Sequence, residues 1–410
     1  MTLVIEDIVN LREGKAPVSM DLAHAMTVGN EAWLDRFVSY YLDRYVPAGG
    51  SKVKVIVGDE GTGKSHVLRF LQYEASERHY VVLYLSARQT LKRLNDLTSL
   101  YRLIVESIDF ESLVSGLAST LADSLGYRMP TYDGQNKLVP FIMAEGMDRS
   151  DASREIRLAI NRLLNSADLT PSAKTFASTL LKHRLIEDDD VQLALAKRWL
   201  NGERLSMQER RAAGLFEMLN RTTARRYIDS LLKLIVLSGY KGLLLLIDDL
   251  DVLSERSAET GRFIYTPSAI KDTCELFRQI IDDAEVLRHM LVVLAGSKAV
   301  LEDEKRGFRS YEALWMRLQT GLVPSSVFNS LCDVLDLDQY LASLPPAYFE
   351  ELSTRVNEVF NQYGIQRRAR TEVESIYPVT TPSLRHIVIA NTYVVDASQE
   401  MNDPTVWRPL

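Results

Sequence analysis

Val53-Lys54-Val55-Ile56-Val57-Gly58-Asp59-Glu60-Gly61-Thr62-Gly63-Lys64-Ser65 decides the fold. A β-branched run leads straight into G-x-x-x-x-G-K-S, the phosphate-binding loop of nucleoside triphosphatases. The glycines let the backbone curl around a polyphosphate with successive N–H groups pointing inward. Lys64 reaches the β- and γ-phosphates, and the Ser65 hydroxyl is a ligand for Mg²⁺. A helix from about Gly63 to Ser76 aims its positive end at the same anion. The expected nucleotide-binding stretch is therefore Gly58, Asp59, Glu60, Gly61, Thr62, Gly63, Lys64, Ser65 and the adjoining His66. His66 is read as packing on the helix and takes no catalytic role. The competing reading, a coincidental glycine turn, lacks a reason for the strand and helix on either side.

The second half of such a site is a buried strand ending in an acid. Gly242-Leu243-Leu244-Leu245-Leu246-Ile247-Asp248-Asp249-Leu250-Asp251 supplies it. An unbroken apolar run reads as a strand buried on both faces of a parallel sheet. Asp248 then falls at its C-terminal edge, where open α/β sheets place ligands, and is expected to hold the Mg²⁺ shell. Asp249 sits where many such enzymes carry a glutamate that polarises the attacking water. One methylene shorter, it implies slow turnover. Alone, the acidic run also reads as a solvated turn after a core strand.

A chain of 410 residues is too long for one small core and suggests two or three modules. Apolar content of 46% and charged content of 25% are those of a soluble globular protein, not a disordered or fibrous one. Cys274 and Cys332 are far apart with no Cys/His cluster nearby. That argues against a disulfide framework or structural zinc and fits a reducing compartment, the cytoplasm. Met1-Thr2-Leu3-Val4-Ile5-Glu6-Asp7 has no basic start and no long apolar core, so no signal peptide is expected. No apolar stretch approaches the ~20 residues that span a bilayer. A net charge of −7 excludes a general polyanion binder, so any nucleic-acid contact would use local patches.

Along the chain, residues 1–50 read as an N-terminal helical segment, broken at Gly14–Val18 around Pro17, with Trp33, Phe37, Tyr40 and Tyr41 at helical spacing. Tyr80 to Ser86 is a second strand, and Leu291 to Ser297 another after a long helix from about Ser268 to Arg288. Strand, loop, helix, strand predicts a parallel α/β sheet. We assign 51–93 and 239–337 to the nucleotide-binding core, 94–238 to a helical insertion and 338–410 to a C-terminal helical lid. Pro346 to Tyr363 is an amphipathic helix of that lid. Thr381-Pro382 opens another, with Arg385 one turn in and placed to reach back to a triphosphate. A surface arginine is the alternative.

Ser297, at the end of its strand, either touches the γ-phosphate or its water, or caps the next helix. Lys305 to Leu318 carries Arg306, Arg309 and Arg317. Arg309 and Arg317 are candidates to complete a neighbouring subunit's site, because guanidinium neutralises charge on a transferred phosphoryl group. A solvated basic turn is the alternative. Arg221, Arg225 and Arg226 share a helical face, and Arg367, Arg368 and Arg370 cluster in a loop. Each set can touch DNA phosphates. A solvated face or partner contact is favoured.

With these residues in place, the chain resembles the P-loop ATP-binding proteins of bacterial BREX-type phage-defence loci, the BrxD-like ATPases. The likeness is carried by Gly58–Ser65, Arg198-Trp199-Leu200-Asn201-Gly202-Glu203, Tyr240-Lys241-Gly242, Tyr311-Glu312-Ala313-Leu314 leading to Arg317, and Thr381-Pro382-Ser383-Leu384-Arg385. The resemblance implies an AAA+-like fold related to replication-initiator ATPases, ATP as ligand, self-assembly or complexes with other defence proteins, and no membrane. Asp249 departs from the family's glutamate. About two dozen residues follow Arg385, too few for a winged-helix DNA reader. Three readings compete: an assembling ATPase with Asp249 positioning water, a nucleotide switch with negligible turnover, and a helicase loader.

Overall fold

The computed structural model describes residues 5–12, 14–90, 94–127, 132–319, 328–362 and 384. Its centre is a five-stranded sheet of β1 (Ser51–Val57), β2 (Val81–Ser86), β3 (Leu243–Asp248), β4 (Met290–Gly296) and β5 (Val334–Asp336), in the order β2-β3-β4-β1-β5. Every pairing is parallel. The fold is α/β, as the sequence predicts, and consistent with a P-loop nucleoside triphosphatase.

Both faces of the sheet are buried, which is why β3 and β4 are apolar throughout rather than alternating. Val55, Val57, Leu245, Ile247, Val292 and Leu294 face one apolar cluster. Ile56, Leu244, Leu246, Leu291, Val293 and Leu335 face another, with Val67, Leu68, Phe70 and Leu71 of the helix Lys64–Glu77. Register aligns the strand ends. Ser86 lies opposite Asp248, and Val57 lies opposite both Gly296 and Asp336. The loops leaving these strand ends, which carry the candidate site, therefore emerge on one edge.

Among the described residues, the chain between β2 and β3 is helical from Leu97–Ser107 to Ala224–Leu237. Local chemistry sets several starts. Asp96, Asp109, Asp148, Thr170 and Ser206 accept backbone N–H groups of the first turn. Leu113, Phe176 and Ile228 of these helices share one apolar cluster with the strands. Trp199 lies between Phe176 and Tyr227, at 5.5 and 5.0 Å, and gives its indole N–H to Glu217 O at 2.9 Å. Trp199 thus anchors the Arg198–Glu203 segment to the helical packing.

The aromatic stretch after Asn30 is an α-helix to Phe37 and then a π-helix, Val38–Tyr45. Widening the turn moves Tyr40 to 44% exposure while Phe37 and Tyr41 stay buried. Upstream, buried Asp7 accepts Val18 N–H, Ser19 N–H and Ser19 Oγ at 2.6, 2.9 and 2.7 Å, fixing the Pro17 turn. Leu11, Leu22, Met26 and Val28 then pack on Leu352, Val356 and Val359 of the helix Pro346–Gln362.

Lys54 of β1 is wholly buried. It donates to Leu331 O and Cys332 O, both at 2.7 Å, and lies 3.6 Å from Asp333 and 4.6 Å from the Tyr41 ring centre. Burial lowers its pKa from 10.5 to about 8, against the raising effect of Asp333. The unfolded chain then binds more protons than the folded one between those values, so the Lys54 contribution to stability rises with pH across that window. Relative to Lys54→Met, the native chain is expected to gain about 2 kcal/mol between pH 8 and pH 10. Denaturant titrations of both chains measure it; a constant difference would refute the shift.

Candidate nucleotide site

A cleft of about 910 Å³ opens at the strand ends, lined by Glu60, Gly61, Thr62, Gly63, Lys64, Ser65 and His66 together with Asp248, Asp249 and Ser297. Gly61 and Gly63 have φ of 86° and 92°, the left-handed region a curled loop needs. Gly58 and Asp59 form the loop's back. Asp59 N–H donates to both carboxylate oxygens of Asp338, at 3.0 and 3.1 Å, and Thr62 Oγ1 donates to Asp59 O at 2.9 Å. Lys64 Nζ donates to Gly58 O and Asp59 O at 2.7 and 2.8 Å, so its charge is held inside the loop.

Ser65, in the first turn of the helix Lys64–Glu77, donates its hydroxyl to Asp248. Tyr84 of β2 donates to Asp248 Oδ2 at 2.6 Å, and Asp249 N–H donates to Oδ1 at 2.9 Å. Asp248 is only 5% exposed. Burial pushes its carboxyl above the usual range, the neighbouring Asp249 charge adds to this, and the bonds from Tyr84 and Ser65 oppose it. All three of these partners are neutral donors. A buried carboxylate beside a hydroxyl, without a cationic partner among them, fits a hard divalent cation such as Mg²⁺ held by oxygen ligands.

Asp249 has φ 59° and ψ 32°, a conformation rare outside glycine, asparagine and aspartate. Its Oδ2 accepts Ser86 Oγ at 2.6 Å. Ser297 donates its N–H to Asp251 Oδ1 at 2.9 Å, and its hydroxyl makes no capping bond to the following helix. His66 is engaged on the side of the N-terminal helix. Its Nε2 lies 2.9 Å from Thr27 Oγ1, whose own proton goes to Ala23 O, and burial lowers its pKa to about 4. The neutral ring ties the loop helix to the N-terminal helix Met20–Met26.

The remaining candidates lie elsewhere. Arg309 is 49% exposed, 3.3 Å from Glu304 and 5.7 Å from the Trp315 ring centre. Arg317 grips Asp282 with Nε and Nη2, at 2.5 and 2.8 Å. Arg385 and the Arg367–Arg370 cluster fall outside the described residues, although Leu384 lines the cleft beside Gly63. Arg221, Arg225 and Arg226 each pair with an acid, Asp96, Asp283 and Glu217. Sequence reading gave no role to Tyr84, Ser86, Arg88, Asp251 and Asp338; strand register brings Tyr84 and Ser86 to the acids.

The sequence profile described as "BREX system ATP-binding protein BrxC/D" matches residues 4–383. The chain belongs to the BrxC/D family. Membership makes it a nucleotide-binding protein of a phage-defence system, with ATP as the ligand the family is named for. The matched span of this BrxC/D protein includes the phosphate loop, both acids and the strand ending at Ser297. Comparisons with curated proteins and with solved structures give no significant match. No helix among the described residues is long and apolar enough to cross a membrane.

Proposed function

We propose that the protein is an AAA+-like ATPase whose ATP state governs assembly with itself and with other defence proteins. The observation that supports this best is the meeting of Lys64, Ser65 and Asp248 at the aligned ends of β1 and β3. On this reading Lys64 leaves the carbonyls of Gly58 and Asp59 for the β- and γ-phosphates. Ser65 and Asp248 hold Mg²⁺, which neutralises charge on the phosphates. Asp249 orients the attacking water, and Ser297 faces the γ-phosphate from the end of β4. Catalysis is then positioning and charge neutralisation.

Arg309 is the better candidate to act on a neighbour's nucleotide, because Glu304 holds it weakly at the surface whereas Asp282 occupies the Arg317 fork. The test is ATP hydrolysis over a protein-concentration series, with and without duplex DNA, with Lys64→Ala as blank. Turnover rising with concentration supports composite sites. Turnover proportional to protein at every concentration would remove the in-trans arginine.

A second reading, a nucleotide switch with negligible turnover, is favoured by the Ser86–Asp249 bond, which holds the candidate water-positioning carboxylate. Loss of a bond worth about 1 kcal/mol corresponds to about fivefold in rate. Ser86→Ala is therefore expected to raise steady-state turnover about fivefold and leave ATP affinity unchanged. Equal turnover would show that Ser86 does not restrain Asp249.

A further inference from the structure

Arg88 lies just past β2, in the short helix Ala87–Thr90, half-exposed on the cleft that also holds Lys64, Asp249 and Ser297. Both terminal nitrogens grip Glu255: Nη1 donates to Oε2 at 2.6 Å and Nη2 to Oε1. Asp249 and Asp251 act on the same guanidinium, so it lies within electrostatic reach of the acids that end and follow β3. Ser86, two residues earlier, is in register with Asp248, which places Arg88 beyond the acidic strand. The phosphate loop, at the end of β1, lies on the other side of β3.

Among the described residues, the arginines lining the cleft are Arg69 and Arg88. Arg69 is committed: it stacks 3.7 Å from the Tyr84 ring centre and gives Nη1 to Gln72 Oε1 at 2.9 Å. The Arg88–Glu255 pair is bidentate but reached by solvent on both sides, so water and salt screen the attraction that a more highly charged acceptor has to outcompete. A planar guanidinium binds a phosphate dianion through the same two-pronged geometry it uses for a carboxylate, and more strongly as the charge on the acceptor grows. The wall around Arg88 carries Asp248, Asp249, Asp251 and Glu255, so it is the cation available on that side of the cleft to meet the negative end of a long polyphosphate.

We propose that Arg88 reads the terminal phosphate of a bound nucleoside triphosphate, leaving Glu255 to grip the γ-phosphoryl oxygens. Glu255 is the competitor that keeps Arg88 parked when the γ-phosphate is absent. The inference rests on nucleotide binding at Lys64 and deepens it: Arg88 distinguishes triphosphate from diphosphate, and Glu255, released, passes the signal to the segment after the 3₁₀ turn Leu250–Leu253.

The test is calorimetric titration of the full chain with MgATP and MgADP, for native protein, Arg88→Ala and Glu255→Gln. Removing one hydrogen-bonded charge from the phosphate corresponds to about tenfold in affinity. Arg88→Ala is expected to weaken ATP about tenfold and leave ADP unchanged. Glu255→Gln is expected to strengthen ATP severalfold, again without effect on ADP. An unchanged ATP-to-ADP ratio in Arg88→Ala, or weaker ATP binding in Glu255→Gln, would overturn the inference while leaving the site assignment standing. Native protein that binds neither nucleotide would overturn both.

Discussion

Lys64→Ala is expected to weaken MgATP binding by at least about a hundredfold, from two charged hydrogen bonds to phosphate worth about 1.5–3 kcal/mol each. Among the described residues the side chain bonds to the loop carbonyls Gly58 O and Asp59 O, so its removal is expected to leave the strands and the loop helix intact. The thermal unfolding midpoint should therefore stay close to native without nucleotide. With saturating MgATP the two should separate, because a ligand that binds only the folded state stabilises it. Isothermal titration gives the direct reading. Affinity within about threefold of native would mean that the phosphates do not sit in this loop.

The second large effect is on turnover. Asp249→Asn is expected to lower ATP hydrolysis by about a hundredfold, the usual scale for losing a positioned base. Asparagine suits the backbone at φ 59°, and its amide oxygen can still accept from Ser86. Binding should persist. Because the Asp249 charge raises the Asp248 carboxyl, its removal should ease ionisation of Asp248 and, if anything, tighten Mg²⁺. Single-turnover hydrolysis with pre-bound nucleotide separates the two effects. Native rates in Asp249→Asn would move the water-positioning role to another group.

Much of this was legible in the chain. The β-branched run before Gly58, the helix after Lys64 and the unbroken apolar run before Asp248 each carry a strong local signal, and each formed where its pattern placed it. β5 was not legible. It is three residues long, Val334–Asp336, and its pairing with Val55–Val57 depends on Lys54 and Lys52 drawing in the carbonyls and carboxylate of residues 331–333. The supporting shell was equally hidden. Tyr84 and Ser86 read as ordinary strand residues until β2 is set beside β3, which turns their hydroxyls onto Asp248 and Asp249. The long helix expected to Arg288 stops at Asp282, where two arginines, Arg278 and Arg317, converge on its carboxylate. Of the two, the Arg317 contact comes from a distant helix, which periodicity cannot see.

The left-handed backbone at Asp249 gives the choice of acid a conformational meaning. Two filters act on that position at once. Geometry admits glycine, asparagine and aspartate at low cost, since their short side chains tolerate this region, and disfavours the longer glutamate. On the proposed water-positioning role, proton chemistry admits the two acids. Aspartate alone passes both. Of the two acids, aspartate is therefore the one this turn carries at the lower cost. If Asp249 positions the water, a library at position 249 scored for folding and for hydrolysis is expected to rank aspartate high in both screens and glutamate lower in the first.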